Sequence, residues 1–320
     1  MSQHWATMKE AGALGGMRVM VSIYSVLGRK VFNLVLVPVM AYFFIRRGSA
    51  RRASMDFLQK VRRRYPEEHK KCSITWLSFL HFLSFGHSLL DKFIAWSKTP
   101  SNIAMDPSEE KMLFDLVAAN QGVLIIGSHF GNLEYSRGIS ARHPELVINV
   151  LLFDQHAEKF ASLMEDAGTE SRMNLIQVTD IDFELALILK EKVERGEWVV
   201  VAGDRVPVGE SKRVCRASFF GEEADFPVGP YVLANLLHCP VYLLHCFLVE
   251  DHYHVGLEFF AKEFQSARKN RQQAYEKAAQ KFAMALEKQV VRFPLQWFNF
   301  YDFWGKNDLQ TTQPETTSES

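Results

Sequence analysis

The chain has 320 residues, is 48% hydrophobic and carries no net charge, which excludes a disordered polyelectrolyte and leaves room for a sizeable core. The charge is unevenly placed. Residues 1–71 hold 14 Lys and Arg against 4 Asp and Glu, a net +10, so the remainder carries −10. Basic residues that flank apolar runs point to an anionic lipid surface rather than to nucleic acid. The four cysteines, Cys72, Cys215, Cys239 and Cys246, form no C-x-x-C pair. Neither a zinc site nor a disulfide framework is suggested, and reduced, buried thiols in a cytosol-facing protein are expected.

In chain order, Val31 to Ile45 is almost continuously apolar, interrupted by Asn33 and Pro38, between Arg29-Lys30 and Arg46-Arg47. Fifteen residues fall short of the roughly 20 that span a bilayer, and the flanks do not read as a cleavable signal peptide. A helix lying in, or dipping into, the inner leaflet fits length and flanks; a buried helix of the soluble core is the alternative. Arg51 to Arg64 reads as a basic amphipathic helix and Ile74 to Trp96 as an aromatic-rich one. Its histidines, His81 and His87, are six apart and off a common helical face, which suits packing or surface roles better than metal ligation. From about residue 105 the pattern becomes α/β. Asp106-Pro107-Ser-Glu109 supplies a cap, a first-turn proline and an acidic third position. Strand-type runs are predicted at 123–127, 147–152, 174–178, 198–202, 240–248 and 253–259. Helices are predicted at 132–142, 156–167, 182–195, 229–238 and 267–292. The alternation gives an α/β fold with a largely parallel central sheet flanked by helices, plus an N-terminal membrane-associating helical segment. The implied division is 1–100 helical and membrane-associating, 101–305 α/β, and 306–320 a polar, disordered tail.

The run Gly122-Val-Leu-Ile-Ile-Gly127 leads into Ser128-His129-Phe-Gly131-Asn132-Leu-Glu134. The flanking glycines permit a sharp strand-to-helix turn that projects His129 at the carboxyl edge of the sheet, where open α/β folds hold their sites. A neutral imidazole accepts protons near pH 7 if a partner fixes its tautomer. Glu134, five positions on, is the expected partner, and the N-terminus of the following helix is expected to keep the ring neutral. A satisfied buried histidine with a capping glutamate is the alternative. Ser128 lies beside His129 in sequence, not opposite it, and is not cast as a nucleophile. A second apolar strand, Trp198 to Ala202, runs into Gly203-Asp204-Arg205, which should share the His129 edge. Arg205 suits a developing oxyanion or a phosphate; an exposed Asp204–Arg205 ion pair is the alternative.

The pattern H-x4-D/E resembles the signature of the glycerolipid acyltransferase superfamily. The setting Gly-Ser-His-Phe-Gly-Asn-Leu-Glu, with Gly203-Asp-Arg, Phe219-Phe-Gly221 and Phe226-Pro-Val-Gly229 after it, is similar to the lipid A late-acyltransferase branch. The chain departs from that branch at Asp-Arg, where Asp-Gln is usual. It departs again at Met164-Glu-Asp-Ala-Gly168, where an arginine is expected that Arg172 would have to replace. The resemblance implies an acyltransferase with His129 as general base oriented by Glu134, and with Asn132, Asp204 and Arg205 binding substrate. It implies acyl carrier protein or acyl-coenzyme A as donor and a membrane lipid or glycolipid as acceptor. The place implied is the cytoplasmic face of a bacterial inner membrane, where many relatives carry a spanning N-terminal anchor. No cofactor, metal or nucleic acid is expected, and no Walker loop, Rossmann fingerprint or H-E-x-x-H is present. A lipid esterase or thioesterase using water, and a non-catalytic membrane adaptor, remain as alternatives. Finally, Gln296-Trp-Phe-Asn-Phe-Tyr-Asp-Phe-Trp304 is dominated by aromatics. If helical, it would place Trp297, Phe300, Tyr301 and Trp304 on one face, as core packing, an interfacial belt or an acyl-groove wall.

Overall fold

The computed structural model describes residues 13–67, 72–97, 100, 102–152, 173–178, 183–206 and 213–305. The chain opens with three helices, α1 (Ala13–Arg46), α2 (Gly48–Arg64) and α3 (Ile74–Ser97). The apolar segment is thus longer than the expected run, because the helix continues through Arg29 and Lys30 with a kink at Gly28, whose φ is +76°. Residues Ser22–Arg46 are long and apolar enough to cross a membrane by length and composition, yet only 17% of that stretch is buried. Most of its surface is left uncovered by the rest of the chain.

The remainder comprises β1 (Ile103–Met105), α4 (Pro107–Ala118), β2 (Val123–Gly127), α5 (Arg137–Ser140), β3 (Ile148–Leu152), β4 (Met173–Gln177) and α6 (Phe183–Glu194). It continues through β5 (Trp198–Ala202), β6 (Val214–Phe219), β7 (Glu222–Pro227), α7 (Gly229–Leu237), β8 (Val241–Val249), β9 (His252–Ala261) and α8 (Arg271–Arg292). Among the described residues, seven strands form one sheet in the order β1-β9-β8-β2-β5-β3-β4. Every neighbouring pair is parallel except β8 with β9, so the largely parallel sheet stands. The short β1 and the separate β6–β7 hairpin are additions to the expected strands. The expected helix at 156–167, Arg172 and the tail at 306–320 lie outside the described residues.

Period-two alternation sorts the strand side chains between the two sheet faces. Leu124, Ile126, Val199 and Val201 join α2, α6, α7 and α8 in the larger core. Val123, Ile125 and Trp198 share a second core with Leu113 of α4 and Leu257 of β9. A third cluster, Phe32, Leu36, Met40, Phe82 and Leu90, fastens α1 to α3. Asp106 caps α4 as expected, accepting from the Ser108 amide at 2.9 Å. Cys215, Cys239 and Cys246 are buried thiols and Cys72 is exposed.

Candidate active site

The central strands β2 and β5 lie side by side and parallel, with Gly127 opposite Ala202. The ladder runs one step further, the Gly203 amide donating to the Gly127 carbonyl at 2.9 Å. Two residues beyond each strand end stand His129 and Asp204, so equal offsets in a parallel pair bring them together. Asp204 engages His129 with both oxygens: Oδ1 lies 2.7 Å from Nδ1, and Oδ2 accepts the His129 backbone N–H at 2.8 Å. Trp297 Nε1 also donates to Oδ2 at 3.0 Å. A carboxylate only accepts when ionised, so Nδ1 carries the hydrogen and Nε2 is left as the base. Among the described residues nothing bonds Nε2, and the His129 side chain keeps 31% of its surface while Asp204 keeps none.

Two glycines make this geometry possible. A Cβ on Gly203 would lie 2.6 Å from Ile126 Cγ2. Gly131 has φ +72°, and a Cβ there would lie 1.9 Å from the Cys246 carbonyl oxygen. The loop can therefore press against β8, where the Asn132 amide donates to Cys246 O at 2.6 Å.

Glu134 is not the partner of His129. Its carboxylate lies 3.0 Å from Lys92 Nζ of α3. With its amide oriented so that nitrogen faces an acceptor and oxygen a donor, Asn132 donates to Glu134 Oε2 at 2.8 Å and accepts from the Lys92 amide at 3.2 Å. The reason is the local backbone. Leu133–Ser136 is a 3-10 turn followed by the single turn of α5, not the expected helix over 132–142. Glu134 is thereby carried toward α3. So short an element has little dipole, and the ring is kept neutral by other means. Burial lowers the His129 pKa, the Arg205 charge lowers it further and Lys92 adds to this; together they outweigh the pull of Asp204. Burial alone would raise the Asp204 pKa, but the contacts with His129 and the Arg205 charge hold it below the usual carboxylate range.

The aromatic C-terminal segment is the third wall. It is not helical: Pro294–Gln296 is a 3-10 turn, and Trp297 then pairs antiparallel with Phe130. The Phe298 amide donates to His129 O at 3.0 Å and the Gly131 amide to Gln296 O at 2.7 Å. Arg205 is bound to this segment, donating through Nε to Asn299 Oδ1 and through Nη2 to Phe298 O, each at 2.9 Å. Behind it His81 is fully buried, Nε2 meeting Trp297 O at 3.0 Å and Nδ1 meeting Ser54 Oγ at 3.0 Å. Burial lowers its pKa to about 3, which fits the packing role expected of it. Lys92 and Asn299 were not among the expected site residues, and Trp297 was expected as packing, belt or groove wall, not as a donor to Asp204. Gln296 and Asn299 carried a usable signal: polar side chains inside an aromatic run must find partners.

Among the described residues, no group of three or more His, Cys, Asp or Glu could hold a metal. The site offers one oriented base, an open nitrogen and two flanking cations, which is equipment for removing a proton from an attacking group. Comparison with curated proteins gives no match. A family model described as bacterial lipid A biosynthesis acyltransferase matches residues 80–306, most of the chain, and the chain belongs to that family.

Proposed function

We propose that the chain moves an acyl group from an acyl thioester to a hydroxyl or amine of a membrane lipid or glycolipid, with His129 as general base. Family membership supports acyl transfer onto lipid. The observation that carries the mechanism is the 2.7 Å contact of His129 Nδ1 with Asp204 Oδ1, which leaves Nε2 to take the proton. The acceptor oxygen or nitrogen attacks the thioester carbonyl as its proton passes to Nε2. The tetrahedral intermediate then collapses, the C–S bond breaks, and the imidazolium returns the proton to the leaving thiolate. Proton transfer of this kind contributes about 10²–10⁴ in rate. Asp204 takes the orienting role that the spacing assigned to Glu134, and it stabilises the imidazolium once formed. Arg205 keeps the free imidazole neutral and supplies positive charge where the carbonyl oxygen becomes negative. Lys92, Glu134 and Asn132 form a second polar group that suits a headgroup of the acceptor.

The resemblance favours acyl carrier protein over coenzyme A as donor and the cytoplasmic face of the inner membrane as the place. Thiol release from an acyl thioester should require both His129 and an acceptor lipid extract. Release that proceeds equally without acceptor would make the chain a thioesterase. A His129→Ala variant that still restores the lipid profile of a deletion strain, read by mass spectrometry, would make it an adaptor.

A further inference from the structure

The segment Arg29–Arg46 of α1 is held against the rest of the chain along its length. Phe32, Leu36 and Met40 are buried against α3, and a Cβ on Gly86 of α3 would lie 2.9 Å from Leu36 and 3.0 Å from the Met40 sulfur. At one end Arg29 lies 3.4 Å from the buried carboxylate of Asp91 on α3. At the other, Phe44 meets Phe79 and Phe82 edge-on. The two helices therefore run antiparallel, residue 29 beside 91 and residue 44 beside 79–82. Neither neighbour of this segment can leave the α/β body. In α2, Phe57, Leu58 and Val61 are in the main core. In α3, His81 is bonded to Trp297, Lys92 to Glu134, and Asp91 accepts from Tyr253 at 2.8 Å.

The opposite face of α1 is apolar and uncovered. Val26, Leu27, Leu34, Val37, Tyr42 and Ile45 are all exposed, Leu34 at 75% and Ile45 at 70%. From Leu34 the spacing of three, five and three residues forms one stripe along the helix. The stripe ends in cations. Lys30 is exposed at its start, and Arg46 and Arg52 are exposed at the α1–α2 elbow. There Arg51 is pinned over the Phe44 ring and donates to Phe44 O at 3.1 Å.

From this we propose that the Arg29–Arg46 segment of α1 lies in the plane of an anionic bilayer surface, stripe inward, and does not cross it. The inference rests on the reading that the acceptor is a membrane lipid. Eighteen helical residues extend about 27 Å, close to the thickness of a bilayer's hydrocarbon core. Standing the segment upright would therefore draw α3 in beside it, with Asp91, Lys92 and His81, and would push the arginine elbow to the far side. Lying flat, the helix immerses only the uncovered stripe, and Lys30, Arg46 and Arg52 meet anionic headgroups. Trp76, 52% exposed at the start of α3 and 5.5 Å from the Phe79 ring, sits near the same elbow, where an indole suits the headgroup level.

Depth measurement on the full-length protein decides this. In a Cys72→Ser background, Leu34→Cys, Val37→Cys and Ile45→Cys would each carry an environment-sensitive fluorophore. Each is bound to phosphatidylcholine vesicles containing phosphatidylglycerol, with bromine shallow or deep in the acyl chains. An in-plane helix gives the same shallow quenching at all three positions. A spanning helix gives graded depth, since positions 34 and 45 would differ by about 16 Å; that result overturns the proposal while leaving acyl transfer intact. Absence of quenching at every position overturns it as well. Arg46→Glu with Arg52→Glu should weaken binding to the anionic vesicles at least tenfold and leave turnover of detergent-dispersed substrate unchanged. Unaltered binding would remove the elbow from the docking surface.

Discussion

Asp204→Asn discriminates between the two carboxylates that could orient His129. The wild-type carboxylate accepts from Nδ1 at 2.7 Å, from the His129 amide at 2.8 Å, from Trp297 Nε1 at 3.0 Å and from Asn299 Nδ2 at 3.4 Å. An asparagine offers one acceptor oxygen and two donated hydrogens. The backbone N–H and the indole N–H both point at Oδ2 and cannot invert, so the amide oxygen must remain there. The NH2 group is then forced toward Nδ1, which must become an acceptor. The hydrogen moves to Nε2, and the base is lost. The cost should approach the whole contribution of general-base catalysis, roughly 10³-fold in kcat or about 4 kcal/mol. Loss of a buried charged acceptor should lower stability by only about 1–3 kcal/mol. Thiol release kinetics beside thermal melts separate the two effects. Glu134→Gln is the control: it loosens the Lys92 contact but leaves the His129 tautomer intact, so its loss of kcat should be tenfold or less. The opposite ranking, with Asp204→Asn within threefold of wild type and Glu134→Gln down a hundredfold, would refute the assignment.

Arg205→Lys keeps a charge but cannot serve Asn299 and Phe298 O with one planar fork, so kcat/KM should fall at least tenfold, about 1.4 kcal/mol; unchanged kinetics would reduce Arg205 to packing. Arg205→Gln removes a charge that lowers the His129 pKa. The acid limb of kcat/KM should lie below the ordinary histidine value of about 6.5 in the wild type and shift upward in this variant, as a pH–rate series would show. His81, with its folded pKa lowered to about 3, stays neutral in the native state while the unfolded chain takes a proton near pH 6.5. Its contribution is therefore complete above that pH and is lost as pH falls toward 3, amounting to roughly 2 kcal/mol at pH 5; denaturant titrations of His81→Gln should show a weaker decline between pH 7 and 5. Gly131→Ala would place its Cβ 1.9 Å from the Cys246 oxygen in a positive-φ conformation, and should cost several kcal/mol in Tm-derived stability together with activity.

Much of this arrangement was legible as local pattern. The apolar runs at 123–127 and 198–202 ended where strands end, and each was followed by a glycine-bearing turn that exposed a polar residue. Strand order was not legible. β3, β4 and α6 intervene between β2 and β5 in the chain, and nothing in composition says that β5 returns to the flank of β2. Without that adjacency, the nearest carboxylate in sequence, Glu134, was the natural partner for His129, and Asp204 was assigned to substrate. Spacing along one chain measures proximity only while the chain stays regular. The change to a 3-10 turn at Leu133–Ser136 is enough to redirect Glu134 to Lys92.

The hairpin and the C-terminal wall were hidden for a related reason. β6 and β7 are joined through Phe220 and Gly221, both at positive φ, as a two-residue hairpin turn of the primed type requires. The usual Asn-Gly signal is absent, and a phenylalanine in that conformation is costly in isolation. Here the surroundings hold it. The Phe220 amide donates to Glu287 Oε2 at 2.7 Å, and the ring meets Phe57 at 5.9 Å and Phe219 at 4.6 Å. Phe57 and Phe219 in turn pack on Trp297 at 4.9 and 5.2 Å, the residue that donates to Asp204. A strained turn, an irregular aromatic segment and the carboxylate behind the base thus share one packed cluster. Their conformations are set by contacts between residues far apart in the chain, 67 positions for Phe220 with Glu287 and 240 for Phe57 with Trp297, which local periodicity cannot carry. The same cluster makes the base's orientation depend on packing of α2 as well as on the sheet edge, so loosening the Phe57 contact should be felt first in kcat and only then in binding.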